Sequence, residues 1–321
     1  MAATKKTNRP DITGQTGVCL SRHIKPGAKL RVALSGGVDS VVLLHLLTRL
    51  AAGTPFQLSA MHVHHGLSTH ADDWVVHCQT LCLKLGVPLE IARVSVARKP
   101  NAGLEAAARK VRYEMLTSPG ADALVLAHHL DDQAETVLFQ LLRGGEPRAL
   151  AAMPEAREKN GMLMIRPLLG VPKRSLIAYA KRHRLNWVED DSNADTALAR
   201  NALRQDVLPL LEKHFPDYRE RLAGVARRMA EVSELLQGLA GQDSAANQAS
   251  ELDCKALKEL GETRARNLLA HFLRDNNVSL PRPAAMREML RQLLEAQGKL
   301  SLPLPDGRKL RRIKSKVFIE P

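Results

Sequence analysis

The stretch Leu30–Leu47, LRVALSGGVDSVVLLHLL, decides the fold. It begins with a short apolar segment typical of a β-strand and ends with one typical of the buried face of a helix. Between them lie the six residues Ser35, Gly36, Gly37, Val38, Asp39 and Ser40. A strand that turns into a helix through two glycines leaves backbone N–H groups free at the helix N-terminus, where an anion is favoured. We therefore predict that this loop binds phosphate.

Asp39 distinguishes this loop from nucleotide-binding loops of the GxxxxGK[ST] type. The lysine of that pattern is missing, so that class of nucleotidase is excluded. A carboxylate at a helix N-terminus would repel a polyphosphate unless a cation lay between them, so Asp39 predicts a bridging Mg²⁺ ion. SGGVDS resembles the pyrophosphate loop of the ATP pyrophosphatase superfamily, whose members adenylate a substrate and release pyrophosphate. The resemblance implies that ATP is used.

The composition bounds the size and the partners of the protein. With 321 residues, 45% of them apolar, the chain is long enough for about two domains. The formal net charge of +13 favours a polyanionic partner such as RNA. Aromatic residues make up only 3%, which argues against base stacking on a broad aromatic platform as the main RNA contact.

The cysteines and the hydropathy pattern favour the cytoplasm. The four cysteines, which include one close pair, are Cys19, Cys78, Cys82 and Cys254. A zinc site or a disulfide framework is therefore not expected. No apolar run reaches membrane-spanning length, and the first residues lack the apolar segment of a secretory signal. We predict a cytoplasmic protein with no membrane partner and with a mobile tail over residues 1–16.

Strand and helix patterns alternate after the loop. Phe56–Val63, Leu89–Val96, Ala123–Ala127 and Met162–Leu168 are short apolar segments typical of strands, with helical patterns between them. This alternation predicts an α/β fold with a doubly wound, mainly parallel sheet. Ligands bind at the carboxyl ends of strands in such sheets, so His64, which follows the second strand, is predicted to contact the nucleotide.

Carboxylates follow the strand Ala123–Ala127, in the segment His128–Thr136, HHLDDQAET. Asp132 and Glu135 are three residues apart, so on a helix they point to one side and can hold a cation. The alternative is structural, because Asp131 and Asp132 can cap the helix that follows. The position at the carboxyl end of a strand favours the cation-binding role.

The sequence pattern also predicts how the chain is divided into domains. We predict a nucleotide-binding catalytic domain over residues 17–215, a helical linker over 216–250 and a smaller α+β domain over 251–321. The linker ends in the small, polar stretch GQDSAANQAS. The last domain begins with helices and closes with a hairpin around Pro305-Asp306-Gly307.

Six motifs stand in an order that resembles the tRNA(Ile)-lysidine synthetase family. They are SGGVDS, VHHGL at 63–67, EAAARKVRY at 105–113, AHHLDDQAET at 127–136, RPLL at 166–169 and EDDSN…RNALR across 189–204. The ending, DGRKLRRIKSKVFIEP, is similar to the close of the family's middle domain. Two features depart from the family. Ser68 stands where members often have arginine, and the chain stops at Pro321 where many continue, so we expect a short form or a truncated chain.

The resemblance implies an ATP-dependent ligation. ATP adenylates the oxygen on carbon 2 of the wobble cytidine in the CAU anticodon of tRNA(Ile), and pyrophosphate leaves. The ε-amine of L-lysine then displaces AMP, giving lysidine. The loop would hold pyrophosphate with Asp39 on Mg²⁺, and Asp132 and Glu135 would hold lysine by an amine left open here. Arg112 and Arg204 would contact phosphate or the cytosine adduct, and the basic second domain would contact tRNA phosphates.

Three alternatives stay open at this point. A tRNA cytidine thiolase of the same superfamily would need cysteines placed to carry sulfur or bind a cluster, and Cys78 and Cys82 are poorly placed for that. An inactive RNA-binding module would not need Asp39, Asp132 and Glu135. An ATP-driven ligase acting on a small molecule would leave the positive charge incidental. The oligomeric state is open as well, with a homodimer among the alternatives.

Overall fold

The computed structural model describes residues 11–66, 68–95, 104–189, 199–244 and 251–320. The chain divides between Arg227 and Arg228 into two compact units. The division lies within a long helix, α10 (Tyr218–Ser244). It also lies within the stretch predicted as a helical linker, and the predicted domain limits at residues 215 and 250 stay predictions.

The N-terminal unit is built on a six-stranded sheet. Across the sheet the strands are β3 (Leu89–Arg93), β2 (Gln57–His64), β1 (Lys29–Ala33), β4 (Ala123–Val125), β6 (Met162–Ile165) and β5 (Ala156–Lys159). The edge strand β5 is antiparallel to β6, and the other neighbouring pairs are parallel. The predicted doubly wound, mainly parallel α/β fold is confirmed. The strand order reverses between β1 and β4, where ligands bind in such sheets.

Helices cover both faces of this sheet. The described helices that precede α10 are α1 (Ile12–His23), α2 (Val38–Ala51), α3 (Ala71–Leu85), α4 (Leu104–Leu116), α5 (Leu130–Leu142), α6 (Pro147–Leu150), α7 (Lys173–Arg182), α8 (Ala199–Ala202) and α9 (Leu208–His214), with a π-helical turn at Leu203–Val207. Strand side chains alternate between the faces. Val125 and Ile165 pack in the core with α2 and α7, whereas Leu124 and Met164 pack with Tyr113 of α4.

The predicted mobile tail over residues 1–16 is wrong from Ile12 onward, because α1 begins there. The side chain of Asp11 accepts a hydrogen bond from the Thr13 N–H and caps this helix. Thr16 and the residues Cys19 and Leu20 are buried against the core, which holds the helix in place. Glycines at positions 14 and 17 weaken the helical pattern in the sequence. Residues 1–10 lie outside the described part of the chain.

Strand β5 was not predicted from the sequence. Asn160 and Gly161 connect it to β6 and both have positive φ, 53° and 74°. An Asn-Gly pair with this conformation is the strongest short-range hairpin signal, so the strand could have been found. The strand predicted over residues 162–168 ends at Ile165, and a turn follows it.

The C-terminal unit packs helices against a four-stranded antiparallel sheet. In order, the strands are β7 (Leu252–Asp253), β10 (Lys316–Glu320), β9 (Lys309–Ile313) and β8 (Leu300–Pro303). The helices are α11 (Cys254–Glu259), α12 (Gly261–Asp275) and α13 (Pro283–Glu295). Leu268, Leu273 and Leu293 from the helices meet Leu310 and Val317 from the strands in one buried core.

One expectation for this unit is confirmed and another needs correction. The predicted hairpin around Asp306 and Gly307 is confirmed, because β8 and β9 pair on either side of it. The unit begins with strand β7, however, because that short strand pairs with β10 before the helices start. The stretch GQDS, within the predicted helical linker, is the end of α10, and residues 245–250 lie outside the described chain. Within the described ranges, none of the helices is both long and apolar enough to cross a membrane.

Candidate nucleotide and substrate site

The SGGVDS loop connects β1 to α2 in a conformation suited to an anion at the start of the helix. Gly37 is the N-cap of α2 and provides no side chain to cap the helix, so the N–H groups of the first turn face outward from the end of the helix. Gly36 has a φ of +90°, and a Cβ at this position would lie 2.9 Å from Cγ2 of Val188. A side chain is therefore excluded here by both conformation and space.

The two serines of the loop hold its shape. The hydroxyl groups of Ser35 and Ser40 lie 3.1 Å apart, and the Ser40 hydroxyl donates to the carbonyl of Gly37 at 2.9 Å. The backbone N–H of Gly37 donates to the Ser35 hydroxyl at 3.3 Å, and the Val188 N–H donates to the carbonyl of Gly36 at 3.0 Å. These bonds fix the loop before any ligand is bound, which lowers the cost of binding one.

Asp39, in the first turn of α2, faces His129 across the switch in strand order. Its Oδ2 lies 3.4 Å from Nε2 of His129. Its Oδ1 is buried and has no hydrogen-bond partner among the described residues. Burial works to raise the pKa of Asp39, but the bond to His129 and the charges of His129, Lys173 and Arg204 bring the pKa below its ordinary value. The carboxylate is therefore ionised and offers one free oxygen.

His129 connects the loop to the helix that follows β4. It is the N-cap of α5, where its Nδ1 accepts from the N–H of Asp132 at 3.4 Å and Asp132 accepts from the backbone N–H of His129 at 3.0 Å. Its side chain is only 5% exposed, and Nε2 also lies 3.5 Å from Asp132. Burial works to lower the pKa of His129, but the three nearby aspartates raise it above its ordinary value. The sequence analysis did not single out this residue.

Glu135 is paired with Arg204 and is not free to act with Asp132 alone. Its side chain is 5% exposed. Its Oε2 accepts from Nε of Arg204 at 2.9 Å and from the terminal nitrogen at 2.7 Å. Asp132 uses its Oδ2 in the cap of α5. Asp132 therefore caps the helix, as the structural alternative predicted, and Glu135 holds the cationic side chain of Arg204. A cationic ligand would bind beside an arginine that already neutralises Glu135.

Asp131 stabilises a different helix from the one that was expected. Its Oδ2 accepts from the backbone N–H of Lys173 at 2.8 Å, at the start of α7, rather than from α5. Its Oδ1 accepts from Nε of Arg219 at 2.5 Å. Asp131, on α5, therefore connects this helix to the start of α7 and to the first turn of α10.

Two predicted site residues have their observed contacts outside the SGGVDS loop. His64 ends β2, and its Nε2 lies 3.4 Å from Asp72 on α3. Arg112 lies on α4, with its guanidinium carbon 5.8 Å from the ring centre of Tyr113. In the described part of the chain, no hydrogen bond or ion pair joins His64 or Arg112 to the SGGVDS loop. The structure thus brings Asp39 and Asp132 together around His129. The helix that carries Asp132 also carries Glu135, which is paired with Arg204.

Comparisons with known proteins match this architecture. Residues 13–211 match the family model of the PP-loop domain, and residues 252–318 match that of the TilS substrate binding domain. The U34-tRNA thiolase NcsA from Methanococcus maripaludis, solved with its [4Fe-4S] cluster, has a TM-score of 0.58 and 21% identity. The match covers 68% of this chain and 78% of that one, and shows a shared fold.

Curated relatives cover most of the chain. A tRNA(Ile)-lysidine synthase from Nitrosomonas europaea is 42% identical over 92% of this chain and 66% of its own length. One from Alkalilimnicola ehrlichii is 41% identical over 96% of this chain and 70% of its own length. The chain thus spans about two thirds of the length of the curated relatives it matches, and slightly less for the first.

Proposed function

The chain belongs to the tRNA(Ile)-lysidine synthase family, and we propose from this premise that it ligates L-lysine to a tRNA in an ATP-dependent reaction. The tRNA is tRNA(Ile) with a CAU anticodon, and the modified atom is carbon 2 of the wobble cytidine. ATP adenylates the oxygen on that carbon and releases pyrophosphate. The amine of lysine then attacks the carbon and displaces AMP, which leaves lysidine.

The observation that carries the proposal is the meeting of the SGGVDS loop with the segment after β4. The loop offers backbone N–H groups and glycines to a polyphosphate. Asp39 contacts His129, whose helix carries Asp132 and Glu135. A phosphate-binding element and an acidic element thus meet at the switch in strand order. This supports a reaction in which an adenylated intermediate and a cationic nucleophile share one pocket.

Asp39 fits the role of a Mg²⁺ ligand. Its Oδ1 is a hard, ionised oxygen that is buried with no hydrogen-bond partner among the described residues, and Mg²⁺ binds such oxygens together with substrate phosphates. When bound, the ion would neutralise charge on the phosphates. The serines and glycines of the loop would hold pyrophosphate as it leaves. His129 would keep the carboxylate of Asp39 oriented.

We propose that Asp132 and Glu135 bind the cationic substrate, lysine. Arg204 occupies Oε2 of Glu135, which leaves Oε1 out of that contact. Lysine would therefore bind beside an arginine, and Arg204 would face the phosphate or the cytosine adduct. Arg112 would contact the RNA from α4, and His64 would lie at the nucleotide end of β2.

The C-terminal unit would contact tRNA phosphates. Six basic residues lie on or beside its last two strands: Arg308, Lys309, Arg311, Arg312, Lys314 and Lys316. Arginine and lysine contacts to phosphate position an RNA without reading its sequence. A cytoplasmic location and a homodimer stay predictions.

Sulfur transfer is the less favoured function. Cys19, Cys78, Cys82 and Cys254 are all buried and free of disulfides. Burial raises the pKa of Cys78 to about 12 and that of Cys82 to about 11. A thiol held in this state is a poor sulfur carrier, because the thiolate is the reactive form.

The proposal is tested with the full chain, ATP, Mg²⁺, labelled lysine and an unmodified CAU-anticodon tRNA(Ile) transcript. We expect lysine to enter the RNA in an ATP-dependent reaction. A transcript with a UAU anticodon lacks the wobble cytidine and should stay unlabelled. Labelling of both transcripts, or of neither while ATP is consumed with a small molecule, would contradict the proposal.

A further inference from the structure

A cluster of basic side chains lies in the N-terminal unit outside the SGGVDS loop. We call it the basic cluster, and its members come from α4, the ends of β4 and β6, and strand β5: Arg109, Arg112, His128, Lys159 and Arg166. The helix α4 packs on the face of the sheet opposite to α2. The basic cluster is therefore separated from the helix that carries the loop.

The ring of Tyr113 organises the cluster. Nζ of Lys159 lies 4.3 Å from the ring centre, and the guanidinium carbon of Arg109 lies 5.3 Å from it. Arg112 lies at 5.8 Å. Tyr113 itself is buried, at 3% exposure. Three cations thus converge on one aromatic side chain, which offsets only part of their mutual repulsion.

Arg166 forms the buried base of the cluster. Its residue exposure is 2%. One terminal nitrogen donates to the carbonyl of Pro154 at 2.8 Å, but the buried Nε has no hydrogen-bond partner among the described residues. Burial, together with the charges of Arg157 and Arg109, lowers the pKa of Arg166 to about 10. A buried guanidinium with an unused donor is costly unless a ligand completes its bonds.

His128 is the second buried group with an unused atom. Its Nδ1 is buried without a hydrogen-bond partner in the described chain. Burial lowers the pKa of His128 to about 3, and the charges of Arg166, Arg109 and Arg112 contribute to the shift. The ring is therefore neutral at pH 7, and in the tautomer with a proton on Nδ1 it can donate to an anion.

No carboxylate of the described residues lies within ion-pairing distance of the buried Arg166, or of Arg109 and Arg112, which are exposed. Buried cations in proteins are normally paired with an anion. Elsewhere in this unit the buried Arg31 lies 3.7 Å from a carboxylate oxygen of Glu90, and the partly buried Arg219 is paired with Asp131. We propose that the basic cluster binds a phosphate group, and that this phosphate belongs to the RNA substrate.

The choice of RNA over ATP rests on the proposed function. The loop at the start of α2 already provides the donors that the phosphates of ATP need. His128 precedes His129, which contacts Asp39, so the basic cluster adjoins the site along the chain. A phosphate of the RNA held there would position the nucleotide that is adenylated. Inorganic phosphate and RNA share this chemistry, so the test has one arm for each.

The first arm measures phosphate binding to the full chain by thermal unfolding. Inorganic phosphate should raise the midpoint of unfolding of the wild type at constant ionic strength, because it binds the folded state. Arg166→Met and Arg109→Met should each lose a large part of that rise. Lys110→Met removes an exposed charge next to Arg109 on α4, and this variant should keep the full rise in the unfolding midpoint. The SGGVDS loop is intact in every variant, so a rise unchanged in both cluster variants would place all phosphate at the loop and overturn the site.

The second arm separates RNA from ATP. With the two cluster variants, affinity for the tRNA should fall by about tenfold, the value of one charge-assisted bond, while affinity for ATP stays at the wild-type level. A fall in ATP affinity with unchanged RNA affinity would overturn the assignment to RNA. If the wild type does not modify tRNA but the phosphate effect is present, the proposed function fails and the phosphate site stands.

Discussion

Nε2 of His129 lies 3.4 Å from Oδ2 of Asp39, which joins the start of α5 to the first turn of the helix after the SGGVDS loop. The two residues are far apart in sequence, and each lies in the segment that follows one of the two strands, β1 and β4, between which the strand order reverses. Their contact brings the SGGVDS loop and the acidic segment after β4 together. We expect loss of this contact to lower both the stability of the folded protein and its activity with ATP.

The pair makes stability depend on pH in a defined window. The pKa of His129 is raised above 6.5 in the folded state, so its contribution is present below pH 6.5 and is lost as the pH rises through the folded pKa. The pKa of Asp39 is lowered below 3.8, so its contribution is present above pH 3.8 and is lost as the pH falls through the folded pKa. The free energy of unfolding of the wild type should therefore exceed that of His129→Gln most between these limits.

Denaturant unfolding of both proteins across this pH range checks the prediction. His23→Gln serves as a control, because His23 is paired with Glu155 and makes no contact with Asp39 among the described residues. A difference between wild type and His129→Gln that does not change from pH 5 to pH 9 would contradict the pairing.

Gly36→Ala should impair ATP use with a modest loss of stability. The positive φ of Gly36 costs an alanine about 1–2 kcal/mol, and its Cβ would press on Val188 at 2.9 Å. The loop must then shift, which moves the donors away from the phosphates. Gly53→Ala is the matched control, because nothing lies within 4 Å of a Cβ there. Pyrophosphate release with tRNA should fall in the first variant and stay normal in the control.

Asp132→Asn and Glu135→Gln should each raise the KM for lysine. Loss of one charge-assisted contact to a cation costs roughly 1.5–3 kcal/mol, or about ten- to a hundredfold in affinity. Adenylation of the RNA should fall less, because that step does not use the amine. Arg204→Met separates the two roles of Glu135, since it removes the ion pair and keeps the carboxylate. An unaltered KM in both acidic variants would reduce the pair to a helix cap and an ion-pair partner.

The sheet and the loop could be predicted because their signals are local. The apolar segments and the two glycines of SGGVDS lie within a few residues of one another, and they specify a strand, a turn and a helix in sequence. The alternation of strands and helices predicted the doubly wound, mainly parallel sheet, but the order of its strands came from the structure. Ser35–Ser40, with Asp39 among them, were therefore predicted to form a phosphate loop from this segment alone.

The partners of the acidic residues could not be predicted in the same way. His129 lies 90 residues from Asp39 in sequence, and Arg204 lies 69 residues from Glu135. Only the fold brings each pair together, so the sequence could suggest Glu135 as a ligand for a cation but not show that Arg204 already neutralises it. The Asn160-Gly161 hairpin was a local signal that was overlooked.

Binding of tRNA should weaken steeply as salt increases. Each neutralised phosphate contributes about 0.9 to the slope of log K against log salt for a duplex. Lys309 and Lys314 are exposed on and beside β9. The variant Lys309→Met/Lys314→Met should reduce the slope by about 2 if both residues contact phosphate. Lys84→Met/Lys181→Met removes the same charge from exposed positions of the N-terminal unit, and a loss of slope in that variant instead would place the RNA surface there.

The central claim is that ATP adenylates tRNA at the SGGVDS loop, and trapping the intermediate tests it most directly. Wild type, Asp39→Asn and Asp73→Asn, an exposed aspartate on α3, are incubated with α-phosphate-labelled ATP and CAU-anticodon tRNA(Ile) without lysine. We predict labelled RNA and pyrophosphate with the wild type and Asp73→Asn, and at least about tenfold less with Asp39→Asn, since it loses one charge-assisted contact. No labelled RNA with the wild type, or equal labelling with Asp39→Asn, would contradict the claim.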